Sequence, residues 1–181
     1  MISHIRLRRL PLVAALLCVT HAVAAQLAPP ADVPQALSAP AGARLLLAVH
    51  ASGVQIYGCA PAADGKLQWT LKSPDAQLRD ARGAVVGHHS AGPSWRYQDG
   101  SEITGKAVAR ADSPDPQAIP WLLVNVVGHS GSGLFAQVTH VQRLHTHGGA
   151  APAAGCDATT QGHEARIPYT ADYYFYGAVA K

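Results

Sequence analysis

Two histidines one residue apart, His145 and His147, are the part of this sequence whose residue types and spacing point most directly to chemistry. On a β-strand, residues i and i+2 point to the same face about 7 Å apart, a spacing at which two imidazoles can bind one metal ion. The metal would need further ligands, and His89 and His129 are the candidates. The pattern predicts a copper or zinc site. The alternative is a polar strand end with two solvated histidines.

The spacing from this pair to Gly155-Cys156 resembles that of the first copper ligands and the disulfide cysteine of copper/zinc superoxide dismutases. The rest of that family's pattern is missing. After Cys156 only His163 remains, with no bridging histidine followed by zinc ligands, and the second cysteine, Cys59, lies on the wrong side of the histidines. A superoxide-dismutase-like oxidoreductase is therefore an alternative function only.

Residues 1–25 have the order of a secretory signal peptide. A basic start with three arginines and no acid is followed by the apolar run Leu10–Thr20 and by the small residues Ala22–Ala25. The apolar run is too short to span a bilayer, and no later segment approaches about 20 apolar residues. We expect cleavage between Ala25 and Gln26, and an exported protein, periplasmic or extracellular, with no transmembrane segment in the mature chain.

Two cysteines, Cys59 and Cys156, remain after that cleavage. In an oxidising compartment a lone pair of cysteines is usually bonded, so we expect a structural disulfide. The whole chain has 14 basic and 11 acidic residues, and three arginines lie in the signal, so the mature chain has 11 of each. A basic patch that neutralises many phosphates is hard to build from this balance, so nucleic acid is not an expected partner.

The mature chain divides into a Pro/Ala-rich extended leader, residues 26–42, and a single β domain, residues 43–181. Short segments with period-two patterning are separated by turn signals such as Ser52-Gly53, and none has a sustained helical stripe. About ten short strands at this spacing predict an all-β, antiparallel sandwich or barrel. Ile119–Val127 and Leu134–Thr146 are expected to form a central hairpin, because a short Gly/Ser loop joins them.

Two aromatic residues, Trp95 and Tyr174, are candidates for contacting a ligand, since exposed aromatic rings can stack on one. Core packing is the competing explanation for both. His88-His89 precedes Trp95 closely, and neighbouring residues on a strand face opposite ways, so only one of these histidines can join a site with His145. Its alternative role is that of a buried imidazole packed beside Trp95.

Several motifs together resemble one family of bacterial and fungal exported proteins, DUF3455. They are GVQIYGC (Gly53–Cys59), Trp69–Leu71, Pro74–Leu78, Val86–Trp95, DGS (Asp99–Ser101), AIPWLL (Ala118–Leu123), Gln142–Thr146, Gly148–Pro152 and PYTADYYFY (Pro168–Tyr176). The resemblance runs from about Ala43 to Tyr176. It implies a secreted, β-rich single domain, and it carries over no catalytic residue.

The sequence thus favours an exported, non-catalytic β domain of unknown biochemical role, either a ligand-binding module or a component associated with the cell envelope. Its expected partner is a small molecule, a glycan or an envelope component, with no cofactor. The alternative is a copper- or zinc-binding oxidoreductase built on the histidines named above.

Overall fold

The computed structural model describes residues 28–178, which form a closed barrel of eight antiparallel strands. Each strand pairs with its neighbours in sequence, and the last pairs with the first. The strands are β1 (Arg44–Pro61), β2 (Leu67–Arg79), β3 (Val85–Ser90), β4 (Ser94–Tyr97), β5 (Glu102–Ala111), β6 (Trp121–Ser130), β7 (Val138–Gly148) and β8 (Glu164–Gly177). Two 3-10 turns, Gln35–Leu37 and Leu134–Gln137, complete the elements. The predicted signal peptide lies outside the described residues.

The alternation of strand directions places the loops at two ends of the barrel. The upper end carries residues 62–66, 91–93, 112–120 and 149–163, and the lower end carries residues 80–84, 98–101 and 131–137. No helix in the described part of the chain is long and apolar enough to cross a membrane.

The all-β antiparallel class is confirmed, but the strand number is eight, and the expected count of about ten is wrong. The sequence pattern divides each of the three long strands β1, β2 and β8 into two segments, whereas the structure has one continuous strand in each case. The clearest case is Ser52-Gly53, which lies inside β1, where Gly53 pairs with Ala76 and Tyr169 on its two sides. A Cβ at Gly53 would overlap the carbonyl oxygen of Asp75. Glycine is required there because the strands approach closely, and no turn forms.

The expected hairpin between the two longest apolar segments is present. Leu122 pairs with Arg143 and Asn125 with His140 across β6 and β7. The second strand starts later than expected, because Leu134–Gln137 forms a 3-10 turn instead of extended chain. In a closed barrel every strand has two neighbours, so this hairpin is not central.

The 3-10 turn Leu134–Gln137 closes the lower end of the barrel. Its Phe135 is fully buried, and the ring stacks on Phe175 at a centroid distance of 4.6 Å. Asp99 holds the turn in place by accepting hydrogen bonds from the Leu134 N–H at 2.8 Å and from the Ser101 hydroxyl. These hydrogen bonds, led by that of Ser101, lower the pKa of Asp99. The lower half of the interior is therefore a packed apolar core.

The leader covers part of the outer surface of the barrel. Leu37 is 0 % exposed and packs with Trp121 and Leu144 in a second, smaller cluster outside the wall. The Leu37 carbonyl accepts a hydrogen bond from Gln142 Nε2 at 2.6 Å. The Gln142 Oε1 atom in turn accepts one from the Tyr176 hydroxyl. Covering this face explains why β6 is apolar on both sides.

The predicted disulfide between Cys59 and Cys156 is present, with the Cα atoms 5.3 Å apart. It ties the upper end of β1 to the long loop of residues 149–163. The bond closes a loop of 97 residues, a length for which the chain-entropy model gives about 4–5 kcal/mol of stabilisation. A further hydrogen bond, from Trp69 Nε1 to the Ala154 carbonyl, holds the same loop against β2.

The barrel wall is incomplete above the short hairpin of β3 and β4. β2 pairs with β3 only through Ala76–Arg79, so residues 67–75 pair with β1 alone. β5 pairs with β4 only through Glu102–Thr104, so residues 106–111 pair with β6 alone. We call the space between these two free edges the wall gap. Pro74 and the charged Lys106 and Arg110 lie on the edges, as is typical of strands without a partner.

Replacing Leu37 by alanine tests whether the leader is part of the folded domain. We expect Leu37→Ala to lower the free energy of unfolding by about 2–5 kcal/mol, the range for a fully buried leucine, because it empties a site between Trp121 and Leu144. Urea denaturation measures the change. Gln35→Ala, an exposed residue of the same turn, is the matched control. Equal stability of the two variants would contradict the packing of the leader.

Candidate functional site

A cavity of about 50 Å³ lies in the barrel interior, beside the wall gap. Strands β3 to β8 and the β3–β4 turn all contribute to it. Its lining residues are His89, Pro93, Trp95, Ala107, Leu122, Val124, Arg143 and Tyr173. Most are apolar, and four carry a polar group: one imidazole, one indole, one guanidinium and one phenol. A concave apolar site with a few converging polar groups is the usual form of a small-molecule site.

The cavity is open to solvent on one side. Ala107 lines it and is exposed to solvent, while Pro93, Leu122 and Arg143 are half-buried. On the opposite side His89, Trp95 and Tyr173 are buried. The open side is formed by the upper part of β5 and the β3–β4 turn, which border the wall gap. The short hairpin therefore gives the interior its entrance.

His89 forms one wall of the cavity and is uncharged. It is 2 % exposed, and its ring stacks on Trp95 with centroids 4.5 Å apart. Nδ1 lies 2.7 Å from the Ser94 carbonyl oxygen. Because a carbonyl only accepts, Nδ1 carries the proton and Nε2 presents a lone pair. Burial lowers the pKa of His89 to about 3. This is the packed imidazole that the sequence offered as the alternative to a metal ligand.

Arg143 supplies the only full charge in the cavity lining. Its Nε and Nη2 atoms donate to the Pro120 carbonyl at 3.1 and 2.8 Å. A guanidinium has five N–H donors, and the hydrogen bonds to Pro120 use two of them. No carboxylate among the described residues forms a salt bridge with Arg143. The cavity therefore presents an uncompensated positive charge.

Two further donors of the lining have no partner in the described structure. Trp95 Nε1 and the Tyr173 hydroxyl are buried and have no partner in hydrogen-bond geometry, and the same holds for the nearby Tyr169 hydroxyl and Gln55 Nε2. Burial raises the pKa of Tyr173 and of Tyr169, so both phenols keep their protons. Arg143 and Tyr169 still lie close enough to Tyr173 to oppose part of the rise in its pKa. Unpaired buried donors are uncommon in folded proteins and often mark a site where water or a ligand binds.

Of the predicted metal ligands, His145 lies on the outer surface of the barrel, beside Trp121 and Tyr174. Its Nδ1 donates to Asp172 Oδ2 at 2.9 Å, and His50 Nδ1 donates to the other oxygen of the same carboxylate at 3.0 Å. The register between β7 and β8 shifts at this point, and His145 has a left-handed backbone with φ 48°. The regular alternation assumed for the two histidines is therefore interrupted between them.

The other three predicted ligands have different surroundings. His147 is exposed and lies 3.8 Å from Asp115. His129 Nε2 donates to the Val138 carbonyl near the lower end, and His89 is inside the barrel. Over residues 28–178 the structure shows no group of three or more histidine, cysteine or acidic side chains placed to hold a metal ion.

The two predicted contact aromatics have separate roles. Trp95 lines the cavity, whereas Tyr174 is half-buried on the outer surface near Leu37. Arg143 was missed as a site residue. Between the register shifts of β7 the alternation is regular, and Arg143 faces inward like Val141, while Leu144 faces outward against the leader. Polarity alone would place the charged Arg143 outside and the apolar Leu144 inside. The available signal was the spacing of two residues between Arg143 and the apolar Val141, which places both side chains on one face of the strand.

The geometry supports recognition through hydrogen bonds donated by the protein. Arg143, Trp95 and Tyr173 all offer N–H or O–H groups, and the acceptors among the lining side chains are His89 Nε2 and the Tyr173 hydroxyl oxygen. A guest rich in oxygen acceptors would satisfy these donors, and a cation would be repelled by the uncompensated charge of Arg143.

The buried His89 makes the protein sensitive to acid in a defined range. An unfolded histidine titrates near pH 6.5 and the folded one near pH 3, so between these values the unfolded state binds the extra proton. The contribution of neutral His89 to the free energy of unfolding is fully present above pH 6.5. It decreases as the pH falls through this window, by at most about 1.4 kcal/mol per pH unit. We expect His89→Asn, which does not titrate, to reduce this slope in urea denaturation from about pH 4 to about pH 7.

The outward neighbour His88, with its side chain 47 % exposed, provides the control. His88→Asn should leave the slope close to that of the unmodified protein. Identical slopes for His89→Asn and the unmodified protein would contradict a neutral, buried His89.

Comparison with known proteins gives one match. The family model described as a protein of unknown function, DUF3455, matches residues 40–177, which include the whole barrel and every residue of the cavity lining. No curated protein and no solved structure matches the chain. The match covers well over half of the sequence, as the motifs in β1, β4, β6 and β8 led us to expect. The chain belongs to the DUF3455 family.

Proposed function

We propose that this protein is an exported, non-catalytic module that binds a small molecule in the interior cavity of its barrel. The observation that carries the proposal is the set of buried, unpaired donors on the wall of a cavity that opens to solvent. Burying such a donor without a partner costs about 1–3 kcal/mol. A guest that accepts hydrogen bonds from these donors recovers that free energy on binding.

The composition of the lining supports binding over catalysis. The described lining residues include no carboxylate, thiol, serine or threonine, so the groups that usually act as nucleophile or as paired acid and base are missing there. His89 could accept a proton only through Nε2, and burial holds its pKa at about 3, far below the value suited to a general base at neutral pH.

The size of the cavity favours a small molecule over the other expected partners. About 50 Å³ is far below the roughly 300 Å³ at which drug-sized sites begin. A glycan or an envelope polymer would have to remain outside the wall gap. Export is supported by the secretory pattern of residues 1–25 and by the Cys59–Cys156 disulfide, which needs an oxidising compartment to persist.

A binding screen with two variants tests the proposal. Small polar molecules that are anionic, neutral or cationic are titrated into the disulfide-bonded mature protein, and binding is followed by ligand-observed NMR. We expect at least one class to bind. Ala107→Phe should abolish that binding, because the ring fills the entrance of the cavity. Val108→Phe is the matched control, since Val108 is the next residue on β5, is exposed and does not line the cavity.

Two results would contradict the proposal. One is that no member of the screen binds. The other is that Ala107→Phe and Val108→Phe bind equally well, which would place the site elsewhere.

A copper- or zinc-dependent oxidoreductase is the second candidate, and one observation favours it. Asp172 fixes the rings of His50 and His145 through Nδ1, leaving both Nε2 atoms free, which is how outer carboxylates orient metal-binding histidines. We expect no stoichiometric metal after dialysis against Cu²⁺ or Zn²⁺ near neutral pH, measured by elemental analysis. One bound equivalent that disappears in His145→Ala/His147→Ala would establish the metal site instead.

A further inference from the structure

We propose that the ligand of the interior cavity is a small carboxylate anion, bound through Arg143. This inference rests on the proposed binding function and adds the chemical class of the ligand. It follows from three properties of the cavity: the sign of its charge, the kind of hydrogen-bonding groups it presents, and its size and apolar lining.

The charge of the lining is positive and has no internal counter-ion. Arg143 carries it, and its two hydrogen bonds go to a neutral carbonyl, that of Pro120. His89 adds no charge, because burial keeps it neutral. The nearest acid that acts on the interior tyrosines, Asp75, is engaged on the outer surface with Arg166 and His88. A single negative charge on the guest would neutralise the cavity.

The hydrogen-bonding groups match two adjacent acceptor oxygens. Arg143 has free N–H groups, and a guanidinium binds a carboxylate through two parallel hydrogen bonds that fix its plane. Trp95 Nε1 and the Tyr173 hydroxyl are the further unpaired donors of the lining. An amide has one acceptor oxygen, and its N–H must face His89 Nε2 to avoid these donors. A carboxylate has two acceptor oxygens and no N–H, so both of its oxygens can face the donors.

Size and apolar surface limit the rest of the molecule. One buried water needs about 10–15 Å³ of cavity volume, so a cavity of about 50 Å³ holds about three to five non-hydrogen atoms. The side chains of Leu122, Val124 and Pro93 and the Trp95 ring make most of the lining apolar. They suit a short alkyl group. A sulfate or phosphate ion would bury some of its oxygens against these apolar side chains without hydrogen bonds.

Calorimetric titration of the disulfide-bonded mature protein with matched ligands tests this inference. Propionate is compared with propionamide, which has the same shape without the charge, and with sulfate. We expect propionate to bind about tenfold or more tightly than either. The amide lacks the charge and offers one acceptor oxygen where the carboxylate offers two. Equal or tighter binding of propionamide or sulfate would overturn the carboxylate assignment.

Variants at Arg143 locate the charge that does the binding. Arg143→Met keeps a long apolar side chain and removes the guanidinium, and we expect propionate affinity to fall about tenfold or more while propionamide affinity changes little. Arg96→Met, at an exposed arginine on β4 outside the lining, is the matched control and should bind normally. Arg143→Lys, which keeps the charge without the planar fork, should retain part of the affinity. Full affinity in Arg143→Met would overturn the proposal.

A comparison of two ligands, propionate and hexanoate, shows whether the carboxylate belongs to a free small acid or to a longer acid. A free small acid fits within the cavity, whereas the end group of a longer acid would leave its chain in the wall gap. Tighter binding of propionate than of hexanoate would indicate the first source, and the reverse would indicate the second, and either result supports carboxylate recognition. If neutral or cationic molecules bind in the cavity and carboxylates do not, this inference fails while the binding function stands. If nothing binds, the binding function itself fails.

Discussion

The antiparallel ladder between β1 and β8 is the interaction on which the rest of the structure depends. It joins the two ends of the domain along nearly the whole length of both strands, from Arg44 opposite Gly177 to Gly58 opposite Glu164. Without it the eight strands would be an open sheet with two free edges, and the aromatic side chains of β8 would have no interior to fill. Because the barrel is closed, every second side chain of β8 points into its interior. These side chains form a row from the upper to the lower end: Tyr169, Ala171, Tyr173 and Phe175.

The candidate site arises because the strands of this closed barrel differ greatly in length. β1 has 18 residues and β4 has four. The short strands complete the wall only at the lower end, where Phe135 and its neighbours form a dry core. Above them β2 and β5 continue with free edges, and the interior meets solvent. The polar residues of the interior, Arg143 and His89, lie at this boundary. The same mismatch in length thus produces both the entrance and the change from an apolar to a polar interior.

Part of this architecture could be predicted from the sequence. Period-two patterning identified the fold class and most strand positions, and the cysteine pair gave the disulfide. The pattern also showed that β6 is apolar on both faces, which suggested a central strand. It could not show that the cover is Leu37 of the leader, because a contact between residues so far apart in sequence leaves no local pattern. Glycine was misleading for a physical reason: at Gly53 it permits close approach of strands, and the same residue elsewhere makes turns.

The site was harder to predict than the fold, because its residues come from six different strands. The leader buries the outer face of β7 at Leu144, so the apolar side chain faces outward and the charged Arg143 faces inward, the reverse of the usual pattern. His145 and His147 were predicted as metal ligands from their spacing alone. In the structure His145 donates a hydrogen bond to Asp172, and His147 lies near Asp115. Pro74 was the overlooked clue. A proline within a long strand indicates a free edge, and that edge borders the wall gap.

The energetics of Arg143 connect the fold to the proposed binding. Its bonds to the Pro120 carbonyl fasten β7 to the start of β6, which is a structural role, but this role uses only two of five donors. A purely structural arginine in this position would gain more from a carboxylate partner or from a closed, apolar surrounding than from an open cavity. The proposed carboxylate would displace water from the cavity, set its oxygens against the remaining donors and add a charge opposite to that of the guanidinium. Such an exchange is favourable where the guest reproduces the hydrogen bonds of the water it displaces.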